Sequence, residues 1–126
     1  MSKTIAIIGA SKDRNKYGNK AVRAFHDGGW TVYPVNPSGG EIEGLPVYAS
    51  IEDTPDPVDR VAMYVPPAVG KTLLDAIARK KPAEFFLNPG SEDAELIEKA
   101  KELGLNPIAA CSIVNIGLHP GMYPGA

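Results

Sequence analysis

The residues best suited to chemistry stand between two glycines near the start of the chain: Gly9-Ala10-Ser11-Lys12-Asp13-Arg14-Asn15-Lys16-Tyr17-Gly18. They follow the apolar run Thr4 to Ile8 and precede a segment with helical spacing. A strand that breaks at a glycine and opens into a helix places backbone N–H groups, and the positive helix end, where a phosphate can sit. Lys12, Arg14 and Lys16 put three cations within five positions, offset in part by Asp13. They could clamp a phosphate or simply solvate the loop. Tyr17 is suited to stacking on a base or covering the loop, and equally to a half-buried hinge. Two departures separate this stretch from a dinucleotide fingerprint. Eight residues lie between Gly9 and Gly18 where G-x-G-x-x-G is compact, and the second apolar run ends at neutral Asn36, where an NAD site wants an acid. This argues against NAD and leaves NADP open, as the cofactor of an oxidoreductase module.

The remaining inventory is thin. Cys111 is the one cysteine and the one candidate nucleophile, so a thiol-dependent role is an alternative reading, although no His or Asp motif accompanies it. His26 falls on the first helix and His119 in the C-terminal tail, and neither spacing makes a triad or a metal cluster. The expectation is a protein without catalysis of its own. A single cysteine excludes an intrachain disulfide and fits a reducing cytoplasm. Thirteen Lys and Arg against 15 Asp and Glu give a net charge of −2, which offers no global field to nucleic acid or an anionic membrane. Any anion site must therefore be local. No apolar run approaches ~18 residues and the N-terminus lacks a signal-peptide pattern, so a cytoplasmic location is expected. A chain of 126 residues fits one domain, 1–126.

The elements that must position these residues alternate. Thr4-Ile5-Ala6-Ile7-Ile8 reads as a strand covered on both faces and is expected at the centre of a sheet. Residues 18–26 carry Ala21, Val22, Ala24 and Phe25 at helical spacing, with Gly28-Gly29 as the stop. Residues 30–35 form a second strand in which Pro34 must face an edge or an irregular point. Leu45-Pro46-Val47-Tyr48 is extended, and Ile51-Glu52-Asp53 a helical turn stopped by Pro55 and Pro57. Residues 60–65 make a third strand, closed by Pro66-Pro67, and the helix that follows is expected to bury Val69, Leu73, Leu74, Ile77 and Ala78. Glu84-Phe85-Phe86-Leu87 is a short strand. Ser91 then reads as the N-cap of a helix striped by Leu96, Ile97, Ala100 and Leu103 and ended by Gly104. A last strand at 107–110 leaves 111–126 as a tail. This is the pattern of an α/β, three-layer, Rossmann-like open parallel sheet of about five strands with helices on both faces.

In such a sheet ligands bind outside the carboxyl ends of the strands. Those ends read Gly9-Ala10-Ser11, Asn36-Pro37-Ser38, Val65-Pro66-Pro67, Asn88-Pro89-Gly90 and Cys111-Ser112. Pro and Gly there either turn the chain or let backbone approach a ligand.

Taken in order, these landmarks resemble the CoA-binding domain family, which includes the N-terminal domain of the succinyl-CoA synthetase α-subunit. The match covers nearly the whole chain. Ile5-Ala6-Ile7-Ile8-Gly9-Ala10-Ser11 followed by Tyr17-Gly18 is similar to the family's opening. Tyr33-Pro34-Val35-Asn36-Pro37 with Gly44-Leu45-Pro46-Val47-Tyr48, and then Tyr64-Val65-Pro66-Pro67, are similar to its later segments, and Cys111 sits where the synthetase subunit carries an Asn-Cys-Pro-Gly turn. The resemblance implies that coenzyme A or an acyl-CoA is bound. By it, the loop from Gly9 to Gly18 holds the pyrophosphate and Asn36-Pro37-Ser38 meets the 3′-phosphorylated ribose. Val65, Pro66, Pro67, Asn88 and Pro89 flank the adenosine and the pantetheine path. Two departures stand out: Ser38-Gly39-Gly40 replaces the lysine that follows the second strand in the synthetase, and the synthetase's phosphohistidine domain is not within these residues. Synthetase activity is therefore not implied, and self-association or a partner enzyme stays open.

Overall fold

In the computed structural model, residues 3–125 are described. The main sheet has five parallel strands: β1 (Thr4–Ile8), β2 (Thr31–Val35), β5 (Arg60–Met63), β6 (Glu84–Leu87) and β7 (Pro107–Ala109), in the order β2-β1-β5-β6-β7. Strand β1 is internal, as its apolar run requires, but β5 occupies the middle position expected of β1. The reason is topological. The chain steps outward from β1 to β2, then crosses back over β1 to build three strands on its other side. Pro34 lies on the edge strand, opposite Ile7, where its missing N–H leaves no gap in the ladder.

Alternation along the strands splits the core into two layers. Ala6, Ile8, Val61, Met63, Phe85 and Leu87 face the helices α2 (Pro67–Lys80) and α3 (Ala94–Glu102), where Leu74, Ile77, Leu96 and Ala100 are buried. Ile5, Ile7, Ala62 and Phe86 face α1 (Tyr17–Asp27), with Ala21, Val22 and Phe25, and the short α4 (Ser112–Asn115), with Ile113. Both faces are covered, which is why the strands read as unbroken apolar runs. The resulting α/β fold is Rossmann-like.

Several boundaries differ from expectation for local reasons. Strand β5 stops at Met63, and Tyr64 and Val65 already belong to the crest of the loop. Helix α1 begins one residue early, at Tyr17. Helix α2 buries Gly70, Leu74 and Ile77, while Leu73 and Ala78 are half-buried and Val69 is 47% exposed. Gly70 was not foreseen: a Cβ there would meet Met63 Sδ at 2.6 Å, so glycine leaves the space on α2 that the Met63 side chain fills. Leu103 falls outside α3's buried stripe, as its C-cap. Residues 41–46 fold into an unforeseen hairpin, β3 (Glu41–Ile42) and β4 (Leu45–Pro46), whose turn residues Glu43 and Gly44 both have positive φ. The tail is not loose chain: α4 packs on α1, Tyr123 is buried, and Arg23 donates to the carbonyls of Tyr123 and Pro124.

Ser91 does not cap α3. Its hydroxyl donates to the Val65 carbonyl at 2.6 Å, and Asp93 takes the cap by accepting from the Leu96 N–H at 3.1 Å. That bond, and Lys71 3.1 Å away, hold the Asp93 carboxyl below the usual carboxylate range. The stabilisation is present above the ordinary aspartate pKa of about 3.9 and is lost as pH falls through the lower folded value. Asp93→Ala is expected to lower the melting temperature by a few degrees at neutral pH, whereas Asp93→Asn keeps the cap and loses only the acid-dependent part; melts from pH 3 to 7 check both.

Candidate functional site

Strand order reverses between β1 and β5, and there the carboxyl ends diverge into a crevice. Gly9 turns the chain out of β1 with φ +88°, and a Cβ on it would lie 2.9 Å from Val65 Cγ1. Across the crevice, the first turn of α1 rests on the end of β1: a Cβ at Gly18 would stand 2.1 Å from the Gly9 carbonyl oxygen. Two glycines thus bring a helix start against a strand end with no side chain between. The N–H groups of Tyr17 and Gly18 have no protein partner among the described residues and form the positive end of α1. A helix start of this kind is able to hold an anion.

Three hollows run together along this edge of the sheet. The middle one, about 430 Å³, has Gly9, Lys16, Tyr17 and Gly18 on one wall and Val65, Pro66, Pro89 and Ser91 on the other. Sharing Gly9 and Val65 with it is an apolar slot of about 220 Å³ lined by Val35, Pro37, Ile51, Val69, Leu73 and Ala76. On the opposite side Tyr17, Tyr64 and Pro89 lead into a third hollow of about 410 Å³ that ends at Cys111, Val114, His119 and Pro120. The groove therefore has an apolar end, a centre able to hold an anion, and a second mostly apolar end. Tyr64 stands between the centre and the Cys111 end, its phenol 3.2 Å from Ser112 Oγ. Burial raises its pKa well above the ordinary tyrosine range, so it meets a ligand as a neutral hydroxyl.

The structure sorts the residues singled out from the sequence. Gly9, Lys16, Tyr17, Gly18, Val65, Pro66 and Pro89 line the central hollow, and Asn36 and Pro37 border the slot. Ala10 is buried in the core beneath the loop. Ser11 winds the loop, its Oγ accepting from the Asp13 N–H at 3.0 Å. Arg14 turns away, pairing with Glu43 on the hairpin at 3.5 Å, so the three loop cations do not act together. Lys12 instead reaches the loop after β2. Asn36 organises that loop: its amide donates to the Ala10 carbonyl at 2.9 Å, and its Oδ1 accepts from the N–H and hydroxyl of Ser38. Asn88 borders the Cys111 hollow but is almost fully buried, donating to the Met63 carbonyl and accepting from the Ser112 N–H. Pro67 is the first residue of α2.

Some lining residues were missed. Ser50 and Ile51 come from the 3₁₀ turn and His119 and Pro120 from the tail, segments outside the strand-end rule. The one usable signal was Tyr64, immediately before Val65-Pro66-Pro67. His119 shares the hollow with Cys111, while its Nδ1 accepts from the Gly121 N–H at 2.9 Å. Among the described residues no His, Cys, Asp and Glu side chains cluster as a metal site, and no helix is long and apolar enough to cross a membrane.

Comparison with known proteins bears on this groove. A family model described as "CoA binding domain" matches residues 3–117. The ADP-forming acetate–CoA ligase of Methanocaldococcus jannaschii is 35% identical over 105 residues, covering 80% of this chain but 15% of the ligase. A conserved hypothetical protein from Pyrococcus furiosus superposes with a TM-score of 0.82 at 33% identity, covering 90% of this chain and 98% of that one. The dinucleotide-forming acetyl-coenzyme A synthetase 1 of Ca. Korarchaeum cryptofilum, in complex with phosphate and ADP, superposes at 0.71 with 29% identity over 86% of this chain and 25% of the synthetase.

Proposed function

Because the chain belongs to the CoA-binding domain family, we propose that the groove holds coenzyme A or an acyl-CoA along its whole length. The adenine fills the apolar slot between Pro37, Ile51 and Leu73. The pyrophosphate lies over Gly9 at the start of α1, beside Lys16, and the pantetheine arm passes Tyr64 and Pro89 toward Cys111. One observation carries this reading: the order of apolar slot, anion site and second apolar hollow matches the order of base, pyrophosphate and uncharged arm in CoA. A ribose–nicotinamide half would put a second polar sugar where the third hollow is lined by Val114, Pro120 and Cys111.

The chemistry done on the thioester belongs to a partner enzyme, and this chain presents the cofactor. Its relatives include whole ligases, of which it matches only a minor part.

The test is a thermal melt with CoA, acetyl-CoA, NADP and NAD side by side. A ligand at one hundred times its Kd stabilises the native state by about 2.7 kcal/mol, which for a domain of this size raises the melting temperature by about 10 °C. CoA and acetyl-CoA are expected to do so and the nicotinamide cofactors not. A shift with NADP and none with CoA would overturn the reading.

A further inference from the structure

We propose that residues 119–125 act as a strap that tightens over the Cys111 end of the groove when the loop between Gly9 and Gly18 orders around the nucleotide, with Arg23 as the positioning residue that couples the two. The inference rests on the CoA reading and adds to it a means by which one half of the ligand prepares the site for the other. The segment runs along two parts of the groove at once. His119, Pro120 and Gly121 line the third hollow. Farther on, a Cβ on Gly125 would clash with the side-chain amide of Asn15, which belongs to the loop after β1 and lines the central hollow. Between these points one side chain holds the strap. Arg23, on α1, donates from Nη1 to the Pro124 carbonyl at 3.0 Å and from Nη2 to the Tyr123 carbonyl at 3.1 Å, and its guanidinium carbon lies 5.7 Å from the centre of the Tyr123 ring.

The same guanidinium holds the loop. Nη2 also donates to the Arg14 carbonyl at 2.9 Å, and Nε to Asn19 Oδ1 at 2.8 Å. Asn19, fully buried, donates in turn to the Ser11 carbonyl at 2.9 Å. Carbonyls of the loop and carbonyls of the strap thus converge on a pair of side chains one turn apart on α1. Neither segment is anchored strongly by burial of its own: residues 12–17 are exposed, and Tyr123 is the one buried residue of the strap. Segments with so little burial open at low free energy. A nucleotide that fixes the loop fixes the Arg14 carbonyl, and with it the guanidinium. The strap then closes on a group already in place, so its ordering costs less than it would alone. A lysine here would keep the charge and lose the planar fork that reaches both segments.

The experiment combines hydrogen exchange with calorimetric titration of the wild type and R23Q, using CoA and its nucleotide half, adenosine 3′-phosphate 5′-diphosphate. The nucleotide half has no arm with which to touch the strap. At saturation it is nevertheless expected to slow exchange of the Met122 and Tyr123 amides, which bond to the His119 and Pro120 carbonyls, about fivefold in the wild type. In R23Q those amides are expected to exchange fast, and at one rate with or without the nucleotide. By reciprocity the nucleotide half should bind R23Q about fivefold more weakly, and CoA should lose more than that, because its arm also loses a wall. Melting curves show whether the variant is folded; R23K is expected to behave as R23Q does and replaces it where R23Q does not fold. Strap amides indifferent to the nucleotide in the wild type, or slowing that survives in the variant, overturn the coupling and leave the CoA reading in place. Binding of CoA without binding of its nucleotide half overturns the placement of the ligand along the groove, and the strap with it. Binding of neither overturns the CoA reading itself.

Discussion

Gly18→Ala is expected to destabilise the protein by about 2–3 kcal/mol and lower its melting temperature by about 10 °C, although alanine is the better helix former. Two effects oppose each other. Helix propensity alone favours the substitution by about 1 kcal/mol. Against it stands a methyl placed 2.1 Å from the Gly9 carbonyl oxygen, a contact with backbone on both sides that no rotamer change relieves. Helix α1 must retreat by roughly an ångström to reach ordinary van der Waals separation. The retreat costs packing along the same face, because Ala21, Val22 and Phe25, three, four and seven positions on from Gly18, are fully buried against β1 and its neighbours. Retreat also pulls the Tyr17 and Gly18 N–H groups from the crevice, so the CoA-induced stabilisation should shrink with the stability of the apo protein. Urea and thermal unfolding with and without CoA measure both. A variant as stable as the wild type, or more so, would show that propensity outweighs the contact and that α1 is free to slide.

Asn88→Ala carries the second large effect, expected at about 2–4 kcal/mol. The side chain is 1% exposed and ties three segments together at the sheet's carboxyl edge. Its Nδ2 donates to the Met63 carbonyl at 3.0 Å; its Oδ1 accepts from the Ser112 N–H at 2.9 Å and lies 3.3 Å from the Ser112 hydroxyl. The Met63 carbonyl keeps a partner after truncation, since it also accepts from the Asn88 N–H. The Ser112 N–H does not, and an orphaned buried donor is the expensive part. Ser112 opens α4 and also meets Tyr64, so the variant should loosen the Cys111 end of the groove before the rest of the fold. Hydrogen exchange checks this: the Ser112 and Ile113 amides should exchange much faster while the β1 amides stay protected, and the urea midpoint should fall. Asn88→Asp is no rescue, because a carboxylate keeps the acceptor but turns its second oxygen onto the Met63 carbonyl. Unchanged exchange at Ser112 would remove Asn88 from this role.

Much of the fold was legible because it depends on local periodicity. Each of the five strands is a short, mostly apolar run, four of them ending near Pro, Gly or Asn, and the helices between them carry apolar residues at helical spacing. The misreadings share a cause: the deciding partner is far away in sequence. Ser91 and Asp93 are both sound N-caps, and only the Val65 carbonyl, 26 positions back, removes Ser91 from the competition. The hairpin at 41–46 has strands of two residues each, too short for any period to register. The tail has no stripe of its own and gains its shape from α1, through Arg23 and the Tyr123 and Pro124 carbonyls about 100 positions away.

By itself the sequence determined that the loops after the strands gather at one edge, since alternating strands and helices force a parallel sheet, and a parallel sheet has all its strand ends of one kind on the same side. It also determined that the opening loop was too long, and Asn36 too neutral, for an NAD fingerprint. Only the tertiary structure decided which residues of that edge face the groove. Asn36 and Asn88, polar and well placed along the chain, spend their hydrogen bonds inside the protein, because a loop crossing a sheet edge must satisfy its own backbone first. Lys12, Arg14 and Lys16 are near neighbours in sequence and point to three separate places, because a loop wound by Ser11 and Asp13 turns successive side chains apart.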